Sequence, residues 1–552
     1  MLEQFSAEES EILKTFCSNG DKGIFVLQNL PEVIKGALFS RYSRSTKSLR
    51  RLLLDEFIRD PETGFAEIVK LKHGSEGMGK AVQKAQAFYD RVLDGYGDDS
   101  VGELGGAHVA CEQISIIATK VLQDARLGGS PLEKSTRYVY FNDKKDGQYQ
   151  FLREPTLMQS PFAGAFTDTC NMLFETYSAL IEPMKGFLTQ HLPLEEFDFF
   201  DTAAKQTVKF HALTDEKIIT RATIAYQAAI RSKACDVLRG LLPAATLTNM
   251  GVFGNGRFFQ SLLTKLHSHP LAELRAIGKE MHAELNTIIP SFVRRAKPDE
   301  FLVESDIAVR ARTLEHTHKT ADQSPTVTLV DYDPAAEEKI MAAMLYVHSA
   351  LPLMQLRKIV QGMGNEAQQE LLAGWLGRRI HRRDKPGRAF ENSYYTFDIL
   401  ADYGIYRDLQ RHRILTQERQ LLTTRFGYNV PEEITIAGFA DQYHAAMRAA
   451  AETYEKIAVQ YPFEAQYVVP LAYNIRWYMT MNLREAFHFC ELRATQQGHP
   501  GYRKVAQLMA KEIARVHPHI GQLQFVDYRE YKLERIAAEM RTAEKREARE
   551  GK

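Results

Sequence analysis

Three landmarks occur twice in this sequence, in the same order. Pro243 is followed twelve residues on by Asn255-Gly256-Arg257, and Pro470 twelve residues on by Asn482-Leu483-Arg484. His269-Pro270 then follows in the first series and His499-Pro500 in the second. An ordered repeat of a proline kink, an Asn-x-Arg and a His-Pro restricts the chain to two copies of one unit. Duplicated units fold as a pseudo-dimer, with sites where the copies meet. A length of 552 residues agrees, being too great for one ordinary core.

Charge excludes some functions. Seventy Lys+Arg balance seventy Asp+Glu, so the chain has no global field to gather nucleic acid or an anionic membrane. An anion site must therefore be a local grouping of basic residues. Cys17, Cys111, Cys170, Cys235 and Cys490 lie far apart without a C-x-x-C pair, which argues against a disulfide framework or zinc knuckle and for a reducing cytoplasm. The acidic start Met1-Leu2-Glu3-Gln4 is not expected to act as a signal peptide, and no apolar run reaches membrane-span length. His316 and His318 lack a third ligand nearby, so no metal is expected.

Along the chain, Ser6 to Glu9 has capping-box spacing and predicts a helix start. Gly74–Ala81 nearly spells a phosphate loop, but Ala81 stands where the motif needs Ser or Thr, so a helix-connecting loop is expected. Residues 81–127 read as mostly helical, followed by a loop at Ser130-Pro131 and the stretch Glu133-Lys134-Ser135-Thr136-Arg137-Tyr138. Helices are expected again from about 161 to 300. The apolar-poor stretch 315–325 reads as a linker, separating a first copy at 1–314 from a second at 326–530; 531–552 reads as a charged tail, a helix or a disordered end. Thr326–Val330 alternates like a strand, and helix resumes from Pro334. Leu409, Ile414, Leu415, Leu421 and Leu422 recur at roughly helical spacing, so Arg411-His412-Arg413 is placed on an amphipathic helix. Few strands among many helices predict an α+β fold, helices around small antiparallel sheets.

These residues resemble the flavin-dependent (alternative) thymidylate synthases, as a tandem duplication with a split motif. Members carry Arg-His-Arg, then Ser, then Asn-Glu-x-Ser-x-Arg-Tyr as one continuous motif. Here the second copy keeps Arg411-His412-Arg413, while the first has Ala125-Arg126-Leu127 in that place but keeps Ser130 and Glu133-x-Ser135-x-Arg137-Tyr138. The later arginine of the family survives as Arg493, against Lys265 or Leu266 in the first copy. The arginine before Leu-Pro survives as Arg239, against Gln466 in the second. Each copy thus retains a complementary half of one composite site.

The resemblance implies reductive methylation of dUMP to dTMP with FAD, methylenetetrahydrofolate and NADPH, in a cytoplasmic homodimer acting as a pseudo-tetramer. It assigns Glu133, Ser135, Arg137, Arg239, Gln410, Arg411 and Arg493 to the nucleotide, Arg411 and Arg493 also to the chemistry. Ser43, Arg411, His412, Arg413, Asn482 and Arg484 are assigned to the flavin. The family's flavin-holding His-x-x-x-x-Glu-His corresponds to Asp98–Leu104 and Pro386–Asn392, both without the histidines, and its glutamine before Arg-His-Arg is Asp408. Modification of another pyrimidine nucleotide, or a non-catalytic nucleotide-binding or scaffold role, are the alternative readings.

Overall fold

The computed structural model describes residues 3–43, 45–59, 102–125, 127–201, 205–317 and 324–550. The phosphate-loop-like stretch at 74–81 and residues 98–101 lie outside them. The chain divides into two compact units, 1–114 with 121–133 and 249–319, and 115–120 with 134–248 and 320–552.

In the first unit, strands β1 (Gly106–Ser115), β2 (Gly129–Glu133) and β3 (Leu247–Asn255) form a sheet in the order β1-β3-β2. The helical expectation for 81–127 fails at β1, and that for 161–300 fails at β3. Both strands owe their conformation to partners distant in sequence, which local periodicity does not see. Ser130-Pro131 is likewise not a loop but part of β2, with Ser130 opposite Phe253 and Pro131 opposite Val252. An edge strand tolerates a residue without an N–H. The expected capping box is present in this unit, with Ser6 Oγ accepting from Glu9 N (3.2 Å) and Glu9 accepting from Ser6 N (2.8 Å).

In the second unit, β4 (Val327–Tyr332), β5 (Tyr394–Asp402), β6 (Thr416–Arg419) and β7 (Asn474–Asn482) pair antiparallel in the order β6-β7-β5-β4. β4 and the following helix Ala336–Tyr346 match the expectation from 326 onward. The two sheets share a topology and a register. Ser130 faces Phe253 in one as Thr416 faces Thr480 in the other, and the interval from Phe253 to Thr480 equals that from Pro243 to Pro470. Asn255 caps the helix Gly256–His267 as Asn482 caps Leu483–Arg493, each accepting from the third helical N–H at 2.8 Å. His269 and His499 each accept a backbone N–H two residues on, at 3.1 Å.

The repeated prolines pair with each other inside the second unit. Pro243 and Pro470 form an antiparallel bridge, extended by Ala244 N to Val469 O, Leu471 N to Leu242 O and Ala472 N to Gly240 O. The long helix Ala163–His191 packs on Ala440–Ala458, where buried Thr169 and Thr453 hydroxyls meet at 2.7 Å. Equivalent segments meeting each other in this way make the unit a pseudo-dimer. The tail forms the helix Ile536–Glu550, lying on Glu216–Leu238.

Arg411-His412-Arg413 is not helical. The helix Tyr403–Leu409 stops at Gln410, whose carbonyl accepts from Gln417 Nε2 (2.9 Å) instead of continuing the ladder. Leu409, Leu415 and Leu422 are buried, but Ile414 and Leu421 are exposed, so no apolar stripe runs through the segment.

Candidate functional site

The second unit gathers arginines from both halves of the sequence. Arg137, just after β2, donates from Nε and Nη2 to the two carboxylate oxygens of Asp236 (2.7 Å each), and from Nη1 to the Tyr502 hydroxyl (3.0 Å). Asp236 sits near the end of the helix Glu216–Leu238, and Arg239 follows it. Arg239 is buried and donates from Nη1 to Asp408 (3.0 Å), the residue standing where the resemblance leads one to expect glutamine. Its Nη2 is buried without a partner. Arg411 approaches the other Asp408 oxygen at 3.8 Å. Burial alone would raise both aspartates, but the guanidiniums win. Arg137 holds Asp236 down at about 2, while Arg239, Arg137 and Arg411 hold Asp408 lower still.

Arg493, at the end of the helix Leu483–Arg493, is different. Its Nε donates to His412 Nε2 at 2.9 Å, and its guanidinium lies 5.7 Å from the centre of the Tyr502 ring, which Arg137 also approaches, at 5.4 Å. No carboxylate lies within ion-pair distance of Arg493 among the described residues. Burial pulls its pKa below the usual arginine value, against the opposing pull of Tyr502 and Asp408 and with Arg411 and Arg137 adding to it. His412 Nδ1 meets Glu485 Oε1 at 2.8 Å, and burial followed by Arg493, His488 and Lys385 keeps this imidazole neutral. Burial pushes Glu485 up to about 7 against the pull of Lys385, Arg484 and Arg493.

Other predicted site residues have partners of their own. Ser135 Oγ accepts from Arg137 N (3.2 Å), shaping the turn that presents that arginine. Gln410 is buried and donates to the Lys120 carbonyl (2.8 Å). Asn482 is spent on its helix cap, and Arg484 donates to the Pro386 carbonyl (2.8 Å) and Glu391 (3.3 Å). Glu133, in the first unit, is buried and accepts from Gln123 (3.2 Å); Ser43, also there, donates to Ser40 O (2.8 Å). Sequence reasoning missed Asp236, Tyr502 and Glu485. Only Glu485 left a signal, as an acidic residue three beyond a capping Asn. A cavity of about 870 Å³ in this unit reaches Asp236, lined also by Lys233, Asp402, His499, Arg503 and Lys504 among others.

The family model for thymidylate synthase complementing protein matches residues 53–291 and again 328–519. The chain belongs to this family. The second match starts at β4, so each sequence copy carries the family domain. A UPF0159 protein of Chlamydia pneumoniae is 45% identical over 549 residues, 98% of this chain and 98% of that one. A UPF0159 protein of Chlamydia muridarum is 46% identical over 547 residues, 97% of this chain and 98% of that one. A third, of Thermoplasma acidophilum, is 35% identical over 518 residues, 92% of this chain and 98% of that one. A solved UMP/dUMP methylase PolB from Streptomyces cacaoi, bound with 5-Br dUMP, aligns at TM-score 0.31 and 19% identity, over 36% of this chain and 95% of that one.

A family of flavin-dependent enzymes raises the question whether these residues suit a flavin. The loop after Gln410 exposes Arg411 and Arg413 on either side of buried His412. Exposed guanidiniums flanking a buried neutral ring match the anionic pyrophosphate of a flavin dinucleotide, so this donor set fits. Arg411 and Arg413 are the residues that would hold it. Among the described residues, no helix is long and apolar enough to cross a membrane.

Proposed function

We propose that the chain is a flavin-dependent thymidylate synthase that methylates dUMP at one composite nucleotide site. The site combines Ser135, Arg137 and Arg239 of the first copy with Arg411 and Arg493 of the second, all within the second unit. One observation supports the reading: Arg493 has other arginines nearby, and among the described residues its hydrogen-bond acceptor is a neutral imidazole. Two carboxylates, Asp236 and Asp408, pair with Arg137, Arg239 and Arg411, and among the described residues none is in ion-pair contact with Arg493. A nucleoside monophosphate dianion supplies a counter-charge, at roughly 1.5–3 kcal/mol per charge-assisted hydrogen bond.

In this reading Arg493 and Arg411 bind and orient the phosphate. Arg137 and Arg493 both approach the Tyr502 ring, and Arg137 is tied to its hydroxyl. Arg239, anchored by Asp408, has its unpartnered Nη2 for a further acceptor on the nucleotide. The flavin, when bound, supplies the hydride that completes the methyl group, while methylenetetrahydrofolate brings the carbon and NADPH the electrons. No enzymic nucleophile is required; all five cysteines are buried.

The test is an absorption spectrum of the purified protein with FAD, before and after dUMP, joined to calorimetry with dUMP alone. A bound-flavin spectrum perturbed by dUMP, followed by dTMP formation with the folate, is the expected result. Binding of dUMP without flavin would support instead a nucleotide-binding role without this chemistry. Absence of dUMP binding would overturn the composite site.

A further inference from the structure

Position 485 has an ordinary structural role that it does not perform. As the third residue of a helix capped by Asn482, Glu485 is placed to reach back to the cap's N–H, as Glu9 does to Ser6. Its cap is one-sided instead: Asn482 accepts from Glu485 N, and the carboxylate turns to His412. We propose that Glu485 is a positioning residue of the nucleotide site, holding His412 in the single tautomer that can hold Arg493 and thereby aiming that guanidinium at the phosphate. The inference rests on the composite-site reading above.

The tautomer follows from donors and acceptors. Arg493 Nε is always a donor, so His412 Nε2 must be the bare nitrogen and Nδ1 must carry the proton. That proton needs an acceptor, and Glu485 Oε1 lies 2.8 Å away. Without the carboxylate, the Nε2–H tautomer is free to form and sets one N–H against another. The His412 ring is further wedged against Phe489, with centroids 4.5 Å apart. In the first copy, the positions of Glu485 and Arg493 hold Phe258 and Leu266, both buried. The carboxylate is present only where there is an arginine to aim.

His412, Glu485 and His488 also bring three ligand atoms within 4.8 Å of one another, a set that transition metals accept. Arg493, Arg484, Lys385 and Arg382 surround the three with positive charge, which opposes a dication. A relay ending on Arg493 suits that field better.

Calorimetry of dUMP with the full chain at pH 8 decides between these. Glu485→Gln keeps an acceptor for Nδ1–H and should bind within about threefold of the parent, whereas Glu485→Leu should bind more than about tenfold more weakly. In ¹⁵N spectra of histidine-labelled protein, His412 should keep its Nδ1–H tautomer with Gln and lose it with Leu. Should the Leu variant fail to fold, Glu485→Phe, which copies Phe258, replaces it. Equal affinity in the apolar variant overturns the inference, as does a Gln variant as weak as the Leu one. Affinity that rises with zinc and falls with a chelator also overturns it, assigning the three side chains to a metal. A parent protein that binds no dUMP overturns the composite site instead.

Discussion

From Pro243 to Leu266 in one copy, and from Pro470 to Arg493 in the other, the chain passes through the same bridge, strand, Asn cap and helix. The helices then face different surroundings. Glu485 and Arg493 correspond to Phe258 and Leu266, and the interval that relates Ser130 to Thr416 also relates Leu122 to Asp408. Three polar groups of one copy are thus three buried apolar groups of the other, none more than 4% exposed. The exchange also runs in reverse, with Arg137, Asp236 and Arg239 standing where the second copy has Thr423, Phe463 and Gln466. Caps and the proline bridge fix the scaffold in both. At these compared positions the charges stand where they converge, because a buried ion without its partners costs several kcal/mol and apolar filler does not.

The sharpest way to break this comparison is to exchange residues across it. Arg493→Leu should lower dUMP affinity by about a hundredfold or more, the loss of two charge-assisted bonds, while the protein melts no earlier. Leu266→Arg should create no second site and should destabilise by about 3 kcal/mol or more, because a charge enters a filled core unpaired. Calorimetry reads the first and thermal unfolding the second. A Leu266→Arg variant that binds two equivalents of dUMP would mean that the halves are interchangeable after all.

A smaller effect distinguishes the two acids that support the arginines. Asp236 is depressed from its ordinary 3.8 to about 2, so its contribution is present above pH 3.8 and is lost as pH falls through 2. That shift corresponds to about 2 kcal/mol. Glu485 has the opposite sign: raised from 4.5 to about 7, it favours the fold below 4.5 and costs stability as pH rises through 7. Asp236→Asn should therefore lower the melting temperature at pH 7, and Glu485→Gln should raise it at pH 8. An Asp236→Asn variant that melts no earlier at pH 7 would mean that the pairing of Asp236 with Arg137 is not what sets the acid limb.

What the sequence disclosed depended on how local the cause was. The Ser6 cap, the strand at Val327 and the helix after Pro334 have causes within a few residues. The composite grouping of Arg137, Arg239 and Arg493 was legible through motif halves. The end of the helix at Leu409 was not, because Gln417 and the buried His412, not a local breaker, redirect the chain. Strand β3 was missed for a similar reason. Its glycines look like helix breaks, but a Cβ at Gly254, or at its partner Gly129 across the sheet, would lie 2.3 Å from the Phe258 ring. The aromatic filler of the lost site explains the glycines, and it stands on the following helix.

The mildest changes test whether the first copy's counterpart region is silent. Lys265 is exposed beside buried Leu266, and Lys265→Ala should leave both affinity and stability unchanged, within about 0.5 kcal/mol. Gln466 occupies the place of Arg239 but serves the backbone, accepting from Leu422 N (3.0 Å) and donating to Phe463 O (3.0 Å). Gln466→Ala should cost about 1–2 kcal/mol in a denaturant melt, from the buried N–H left unpaired, with no change in dUMP affinity. A loss of affinity there without a loss of stability would place a nucleotide at the second position, and the asymmetry between the copies would then be one of affinity rather than of presence.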